Sequence, residues 1–342
     1  MTVFGITLDR RTLLLVASLL MAIGAAIGFH LIRNQRIADV LAVIDITGSM
    51  NARDMGEPKG SQDRLEAAKS ALVNFMQDVP CKSRLGLGVF SERISYLLFE
   101  PAEICNNYDA MEAAIAGLDW RMAWEGDSYI AKGLYSAIEI ASSLKSDLIF
   151  MTDGQEAPPT PLSGIPEFDG KPAAVKGIIV GVGGSEKIPI PKFDDEGRQI
   201  GVYSESDVPQ ENRVGPPPKD AETREGYNPR NAPFGAMPAT GDEQLTSVKT
   251  AHLEDLARIT GLHYAELQHV GALAPPLKAA TEPRLLPVNT DMSYVPAIFA
   301  LALLLATYAL SLVEAAPFSR LGRLRNFRLT PHHREGNLLH AS

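Results

Sequence analysis

The sequence predicts an α/β fold: a doubly wound, mostly parallel sheet with an antiparallel edge hairpin, flanked by two transmembrane helices. Short apolar runs alternate along the chain with stretches of helical periodicity, which is typical of a parallel sheet covered by helices on both faces. One pair of apolar runs is joined by a short polar turn, and an uncharged apolar stretch lies near each end. The chain has 342 residues, 45% of them hydrophobic, which suffices for the core of one domain of roughly 200 residues.

The predicted elements of the domain follow one another in a regular order. The first strand is nearly continuously apolar, as expected of a strand buried on both faces of a sheet. The next segment has apolar residues at helical spacing, among them Leu65, Leu72 and Phe75, and Pro80 ends it. In order, the elements are a strand at 37–44, a helix at 61–79, a hairpin at 83–104, helices at 108–118 and 128–144, strands at 147–151 and 175–182, a helix at 252–260 and a strand at 262–267.

The stretch 185–244 departs from this alternation because it is rich in proline, glycine and charge. It begins with a possible small hairpin at 190–203, which turns at 195–197, and the rest is predicted to be a long loop or a poorly ordered insertion. The sequence therefore predicts one domain at 37–270 that contains this insertion, followed by a linker at 271–293.

The two uncharged apolar stretches lie at 13–32 and 294–313, and each lacks Asp, Glu, Lys and Arg. A helix needs about 20 such residues to cross a bilayer, so both are predicted to be transmembrane helices. The alternative for the first is a cleaved signal peptide, and the alternative for the second is a buried core helix.

The orientation follows from the basic residues beside the second span, because positive charge near a span marks the cytoplasmic side. The segment before the span has only Lys278 and Arg284 nearby, whereas the tail at 314–342 is basic. The tail and residues 1–12 are therefore predicted to be cytoplasmic, and the domain faces the periplasm if the membrane is a bacterial inner membrane. The arginines of the tail are Arg320, Arg323, Arg325, Arg328 and Arg334.

The only two cysteines, Cys81 and Cys105, flank the predicted hairpin. Because the turn lies near Glu92 and Arg93, the two thiols are expected to face each other where the hairpin opens. A disulfide is sterically reasonable there and fits an oxidising compartment. The alternative is two unrelated buried thiols.

Polar clusters lie where ligands bind in doubly wound sheets, beyond the carboxyl ends of the strands. They offer carboxylate and hydroxyl oxygens, without thiol or imidazole, which suits a hard cation: Mg²⁺ first, and Ca²⁺ or Mn²⁺ next. In an extended turn every second side chain points the same way, so the first cluster can gather its oxygens around one ion. The clusters are Asp45, Thr47 and Ser49 after the first strand, Asp127 and Ser128 at the start of the third helix, and Asp153 after the fourth strand.

Three motifs give a specific resemblance. DITGSM at 45–50 resembles the DxSxS element of the metal-ion-dependent adhesion site of von Willebrand factor A (VWA) domains, which have a Rossmann-like fold. GDS at 126–128 is similar to the Gly-x-Thr of the family's second loop, and MTDG at 151–154 resembles its third element. Thr47 stands where the family has a serine. The resemblance implies hydroxyl ligands and two carboxylates that bind the ion directly or through water: Thr47, Ser49 and Ser128, and Asp45 and Asp153, with Asp127 as an alternative to Ser128.

The resemblance implies that the cation accepts an acidic residue of a partner protein, and that the chain is not an enzyme. The layout of span, domain and span is similar to bacterial Bat-type proteins, and DITGSMN and MTDGQEAPP resemble the Mxa-type accessory proteins of methanol dehydrogenase clusters. This narrower resemblance implies assembly or maturation of a periplasmic client enzyme such as a quinoprotein methanol dehydrogenase. It also implies association with a MoxR-type AAA ATPase.

Other functions are compatible with parts of the pattern. The same oxygens suit a carrier that delivers Ca²⁺ to a client enzyme, and a membrane scaffold with a vestigial metal site is also possible. A haloacid-dehalogenase-like phosphatase would need a second aspartate where Thr47 stands. The net charge of −9 argues against nucleic acid as a partner.

Overall fold

The computed structural model describes residues 2–3, 6–7, 9–123, 126–161 and 163–315. The chain divides into two units, one at Asn34–Val288 and one that combines Met1–Arg33 with Asn289–Ser342. The arginines of the predicted basic tail and most of its other residues lie outside the described residues.

The strands and helices have the following bounds. The strands are β1 Thr2–Val3, β2 Ile6–Thr7, β3 His30–Ile37, β4 Asp39–Asp45, β5 Arg84–Ser91, β6 Ile94–Glu103, β7 Asp147–Thr152, β8 Gly177–Gly181, β9 Ile188–Pro189, β10 Pro191–Phe193, β11 Gln199–Val202, β12 Leu245–Thr246, β13 His263–Glu266 and β14 Arg284–Asp291. The helices are α1 Arg10–Ile27, α2 Arg64–Asp78, α3 Ile104–Ala116, α4 Ile130–Leu144, α5 Thr250–Thr260, α6 Leu267–Val270, α7 Ala274–Ala280 and α8 Tyr294–Ala315. Short 3₁₀ helices lie at Gly48–Asn51, Trp120–Met122, Glu205–Asp207 and Ala221–Thr223.

The unit at Asn34–Val288 is built on a six-stranded sheet with the order β13–β8–β7–β4–β5–β6. Its strands run parallel except for β6, which pairs antiparallel with β5. The predicted fold class is therefore confirmed. Because β4 lies between β5 and β7, its last residue, Asp45, lies at the middle of the sheet edge where such folds bind ligands.

Helices cover both faces of this sheet, and the central strand β4 contributes side chains alternately to the two sides. Val40, Ala42 and Ile44 belong to a core shared with α2, α3 and α7. Leu41 and Val43 belong to a second core shared with α4 and α5. All five side chains are fully buried, which explains why this strand has a continuous apolar sequence rather than an alternating one.

The edge hairpin formed by β5 and β6 begins and ends at a disulfide between Cys81 and Cys105. Helix α3 follows β6 directly and begins at Ile104, earlier than the sequence predicts. The reason is local, because the carboxylate of Glu103 accepts a hydrogen bond from the backbone N–H of Asn106 at 2.7 Å and caps the helix.

The stretch 185–244 contains short strands between long irregular segments. The predicted small hairpin is present as β10 and β11, and β9 pairs antiparallel with β12 just beyond the end of the stretch. The two-stranded pair of β9 and β12 brings both ends of the stretch together beside the sheet. We refer to residues 185–244 as the insertion.

Two predicted segments differ from the structure. The stretch 13–32 is not helical throughout, since α1 ends at Ile27 and β3 begins at His30, with Gly28 at a φ of 90° between them. The predicted linker at 271–293 is not featureless, because it contains α7 and β14. Helix α7 is fixed by Leu277, which is buried in the core.

In the other unit, α1 and α8 are long and apolar enough to cross a membrane. Their apolar side chains are largely exposed, for example Leu20 at 64% and Leu305 at 57%. The hydroxyl of Ser18 donates to the carbonyl oxygen of Ala300 at 2.8 Å, which satisfies a polar group within the apolar pair.

Candidate metal centre

The first loop of the site leaves the central strand β4 at Asp45. One carboxylate oxygen of Asp45 accepts hydrogen bonds from the backbone N–H of Thr47 at 2.9 Å and from the Thr47 hydroxyl at 2.7 Å. This turn is one that aspartate favours, because its side chain bonds its own backbone two residues on. The Thr47 hydroxyl thus uses its hydrogen in this bond, and its oxygen lone pairs can accept a hydrogen bond or bind a cation.

The third loop of the site leaves the neighbouring strand β7 and reaches the same carboxylate. The hydroxyl of Thr152 donates to the second oxygen of Asp45 at 2.6 Å and accepts from the backbone N–H of Gly154 at 3.0 Å. Burial, and next the negative charge of Asp153, raise the pKa of Asp45 to about 7. A cation beside these two buried acids would therefore stabilise the ionised form of Asp45.

Backbone hydrogen bonds hold the second loop of the site from two sides before α4 begins. Ser128 exchanges two backbone hydrogen bonds with Ala157, at 2.7 and 2.8 Å, and the N–H of Tyr129 donates to the carbonyl of Glu92 at 2.7 Å. The side chain of Ser128 is buried, whereas Asp127 is partly exposed and lies 3.7 Å from the guanidinium of Arg93. Of the two residues that the sequence predicts here, Ser128 is therefore the better placed to bind a buried ion.

Three of the predicted hydroxyls, those of Thr47, Ser49 and Ser128, line one cleft of about 400 Å³. The hydroxyl oxygens of Ser49 and Ser128 are buried and have no hydrogen-bond partner. A buried hydroxyl without a protein partner costs free energy unless a water molecule or an ion interacts with it. Since neutral hydroxyl oxygens and nearby carboxylates are the donors that hard divalent cations prefer, these residues fit such an ion.

The predicted Asp153 lies beside this cleft rather than on it. One of its oxygens accepts from the backbone N–H of Gln155 at 2.9 Å, and the other accepts from Arg64 at 2.5 Å and from the Thr246 hydroxyl at 3.0 Å. Both oxygens are thus held by protein donors. The structure therefore places the three hydroxyls on one cleft, whereas Asp45 and Asp153 are not among the residues that line it.

The family comparison agrees with the three loops. Residues 40–155 match the family model described as von Willebrand factor type A domain. This region has the VWA fold. The matched region includes all three loops, from Asp45 to Asp153, and VWA domains commonly bind a divalent metal.

Solved structures that match this chain include a membrane protein that is related to aerotolerance, from Bacteroides fragilis NCTC 9343. It has 15% sequence identity and a TM-score of 0.44, and the match covers 71% of this chain and 98% of that one. A membrane-spanning protein from Vibrio fischeri has 17% identity and a TM-score of 0.26, over 70% of this chain and 96% of its own. The ArnB paralog VWA2 from Sulfolobus acidocaldarius has 14% identity and a TM-score of 0.27, over 44% and 36%. No curated protein matches the sequence.

Arg64 is a residue of the VWA domain that sequence reasoning missed. It is fully buried in the first turn of α2, and its guanidinium binds the carboxylate of Asp54 at 2.7 and 3.0 Å as well as Asp153. Burial lowers the pKa of Arg64, but the two carboxylates outweigh it and raise that pKa above its ordinary value. The sequence did contain an indication that Arg64 is buried. Arg64 lies at helical spacing from Ala68 and Leu72, on the face of α2 that packs into the core.

The insertion supplies a wall of the cleft, which the sequence did not predict either. Tyr203, Asp207 and Glu243 line it together with the three hydroxyls. On the same side, the ring of Trp120 stacks on Phe193 of the hairpin β10–β11, with 5.0 Å between ring centroids. The candidate site is therefore formed by the family's three loops and, in addition, by a segment outside them.

Proposed function

We propose that this chain is a membrane-anchored VWA protein that holds a divalent cation in the cleft and uses it to bind an acidic side chain of a partner protein. The single observation that carries the proposal is the pair of buried, unpartnered hydroxyls of Ser49 and Ser128 on one cleft. A bound cation would satisfy both oxygens at once. With a coordination position left open, the ion supplies a strong site for a carboxylate.

The chain's own residues divide this task between them. Thr47, Ser49 and Ser128 would hold the ion through their hydroxyl oxygens. Asp45 would support them, because its carboxylate orients the Thr47 hydroxyl by accepting a hydrogen bond from it and supplies negative charge. The Thr152 hydroxyl in turn donates a hydrogen bond to the Asp45 carboxylate. Asp45 thus corresponds to the outer hydrogen-bonding partners that orient ligands in metal sites. Mg²⁺ is the first candidate ion, and Ca²⁺ or Mn²⁺ the next.

The setting that we propose is a bacterial inner membrane with the VWA domain in the periplasm. The apolar helices α1 and α8 support a membrane anchor, and the disulfide fits an oxidising compartment. We propose binding rather than catalysis, as the resemblance of the three motifs to the VWA metal site implies. By the resemblance of its motifs, the partner would be a periplasmic client such as a quinoprotein methanol dehydrogenase, assisted by a MoxR-type ATPase.

Titration of Mg²⁺ into the purified full chain, followed by calorimetry, tests the cation site. We expect Ser49→Ala and Ser128→Ala each to weaken binding at least about tenfold, because each removes one oxygen from the ion. Ser91→Ala is the matched control, since Ser91 is also a buried serine without a partner but is not part of the cleft lining. Unchanged Mg²⁺ affinity in both cleft variants would contradict the proposal.

Crosslinking in intact membranes, with and without a chelator, tests the partner. We expect a crosslinked partner that disappears with the chelator and in the Asp45→Ala and Ser49→Ala chains, while Ser91→Ala retains it. If the same partner is captured equally by all chains, the cation has no part in recognition.

A further inference from the structure

Gln155 is a third buried group on the cleft that lacks a partner at one atom. Its side chain is 3% exposed, and it follows the third loop of the VWA domain directly. Its amide nitrogen donates to the carboxylate of Glu243 at 2.8 Å, whereas its amide oxygen is buried with no hydrogen-bond partner. Among the described residues, only Ser49, Ser91 and Ser128 share this condition.

The orientation of this amide is fixed by its neighbour. An ionised carboxylate can only accept hydrogen bonds, so the NH₂ group of Gln155 must face Glu243 and the oxygen must face away. The reverse orientation would set two acceptors against each other. The buried oxygen is therefore left without a donor as a consequence of the Gln155–Glu243 bond.

Glu243 is itself held in place by the insertion. Its backbone N–H donates to the side-chain oxygen of Gln210 at 3.0 Å, and the amide of Gln210 reaches Gln244 at 3.2 Å. Gln155 is held from the opposite side, because its own N–H donates to Asp153. The amide is thus fixed between the third loop of the VWA domain and the end of the insertion.

We propose that the amide oxygen of Gln155 is a further ligand of the cation and that Glu243 is its positioning residue. The inference rests on the proposed function, since it needs an ion in the cleft. An amide oxygen is a common ligand of Ca²⁺ and is compatible with Mg²⁺. The hydrogen bond to a carboxylate fixes the amide and polarises it, so that its oxygen becomes a better donor to a cation. Cation binding then depends on the insertion as well as on the three loops.

The experiment compares Mg²⁺ and Ca²⁺ affinities of full-length variants by calorimetry. We expect Gln155→Leu to weaken binding about tenfold or more, because the oxygen is lost, and Glu243→Gln to weaken it by a similar factor, which is the usual effect of losing an outer partner. Glu222→Gln is the matched control, since it changes an exposed glutamate of the insertion that is not in the cleft lining.

An exchange of the two side chains separates a ligand from a merely structural residue. In the double variant Gln155→Glu/Glu243→Gln, an amide again donates to a carboxylate, but the carboxylate now lies at position 155, beside the ion. We expect this chain to bind the cation at least as tightly as the wild type. Weak binding in the exchanged chain, with the fold intact by circular dichroism, would overturn the proposal and assign a structural role to the pair.

The serine variants distinguish failure of this inference from failure of the proposed function. If Ser49→Ala and Ser128→Ala lose the cation while Gln155→Leu keeps it, the cation site stands and the role of Gln155 is wrong. If none of the four single variants changes the affinity, both the site and its extension are wrong.

Discussion

Arg64 illustrates how one buried charge ties the site to the rest of the domain. A charged group is expensive to bury unless it is paired, and here the pairs are with Asp54 and Asp153. Close packing surrounds the guanidinium: a Cβ atom on Gly183 would lie 2.6 Å from its Nε. Arg64 therefore joins α2, the third loop and the start of the segment after β8.

The first prediction is that Arg64→Met strongly destabilises the domain. The substitution keeps the size of the side chain but removes the guanidinium that pairs with two buried carboxylates. Breaking such a buried ion pair costs about 3–5 kcal/mol. Urea denaturation of the full chain measures the free energy of unfolding. Arg198→Met is the control, because the ion pairs of Arg198 are exposed and no measurable change is expected. A similar small change in both variants would contradict the prediction.

The second prediction is that Ser49→Ala does not destabilise the protein when a chelator is present. The hydroxyl of Ser49 has no partner, so its removal relieves the cost of a buried polar group and raises the free energy of unfolding by roughly 1 kcal/mol. Thr152→Val provides the contrast, since it breaks the 2.6 Å hydrogen bond to the buried Asp45 and lowers that free energy by about 1–3 kcal/mol. Thermal unfolding in EDTA checks both; equal destabilisation by the two would assign Ser49 a structural role.

The part of the site that local sequence can predict is the part made by single turns. Thr47 and Ser49 closely follow a strand, so their place on one cleft could be inferred, although Ser49 lies in a 3₁₀ helix and not in the extended turn that the sequence predicts. The pairing of Gln155 with Glu243 could not, because 88 residues separate them and the insertion between has no periodicity that fixes its path. Asp153 stays a predicted ligand, and what the sequence could not predict is that its oxygens accept hydrogen bonds from Arg64, from the Thr246 hydroxyl and from the N–H of Gln155.

At the scale of elements, a disulfide closes the edge hairpin. β6 has a neighbour on one side only, and the disulfide of Cys81 and Cys105 joins the segment before β5 to the first turn of α3. The backbone supports the same closure, since the N–H of Ile104 donates to the carbonyl of Ser83 at 2.9 Å. The sequence predicted the hairpin and its turn well because both are local features.

The third prediction is that Cys81→Ala/Cys105→Ala lowers the free energy of unfolding by about 3 kcal/mol, because a loop of this length loses its closure in the unfolded chain. The separation of the two cysteines is 24 residues. Urea denaturation measures the difference, and the double variant should no longer respond to a reducing agent that destabilises the wild type. An equal response of both chains to the reductant would exclude the disulfide as the cause.

The limits of element prediction have two physical sources. The predicted bounds of a helix differ from the observed ones where a capping residue or a glycine, rather than hydrophobic periodicity, sets its end. Glu103 before α3 and Gly28 after α1 are the two cases. The insertion was recognised by composition, but its role as a wall of the cleft depends on long-range pairs such as Trp120 with Phe193. Long-range contacts leave no periodic signature in a single sequence.

At the scale of the whole molecule, two independent observations predict the same orientation. The arginines after α8 predict a cytoplasmic tail by the positive-inside rule, and the disulfide predicts that the domain lies in an oxidising compartment. Neither depends on the cation site. The combination matters for function, because a partner recognised by the cleft must then be periplasmic or face the periplasm.

The fourth prediction is that a membrane-impermeant maleimide labels the two sides of the protein differently. Both native cysteines are in the disulfide, so a single new cysteine reports its own position. We expect Lys219→Cys, at an exposed position of the insertion, to be labelled in intact spheroplasts, and Ser342→Cys, in the basic tail, to be labelled only after the membrane is disrupted. Labelling of the tail alone in intact spheroplasts would reverse the orientation, and a client of the cleft would then have to be cytoplasmic.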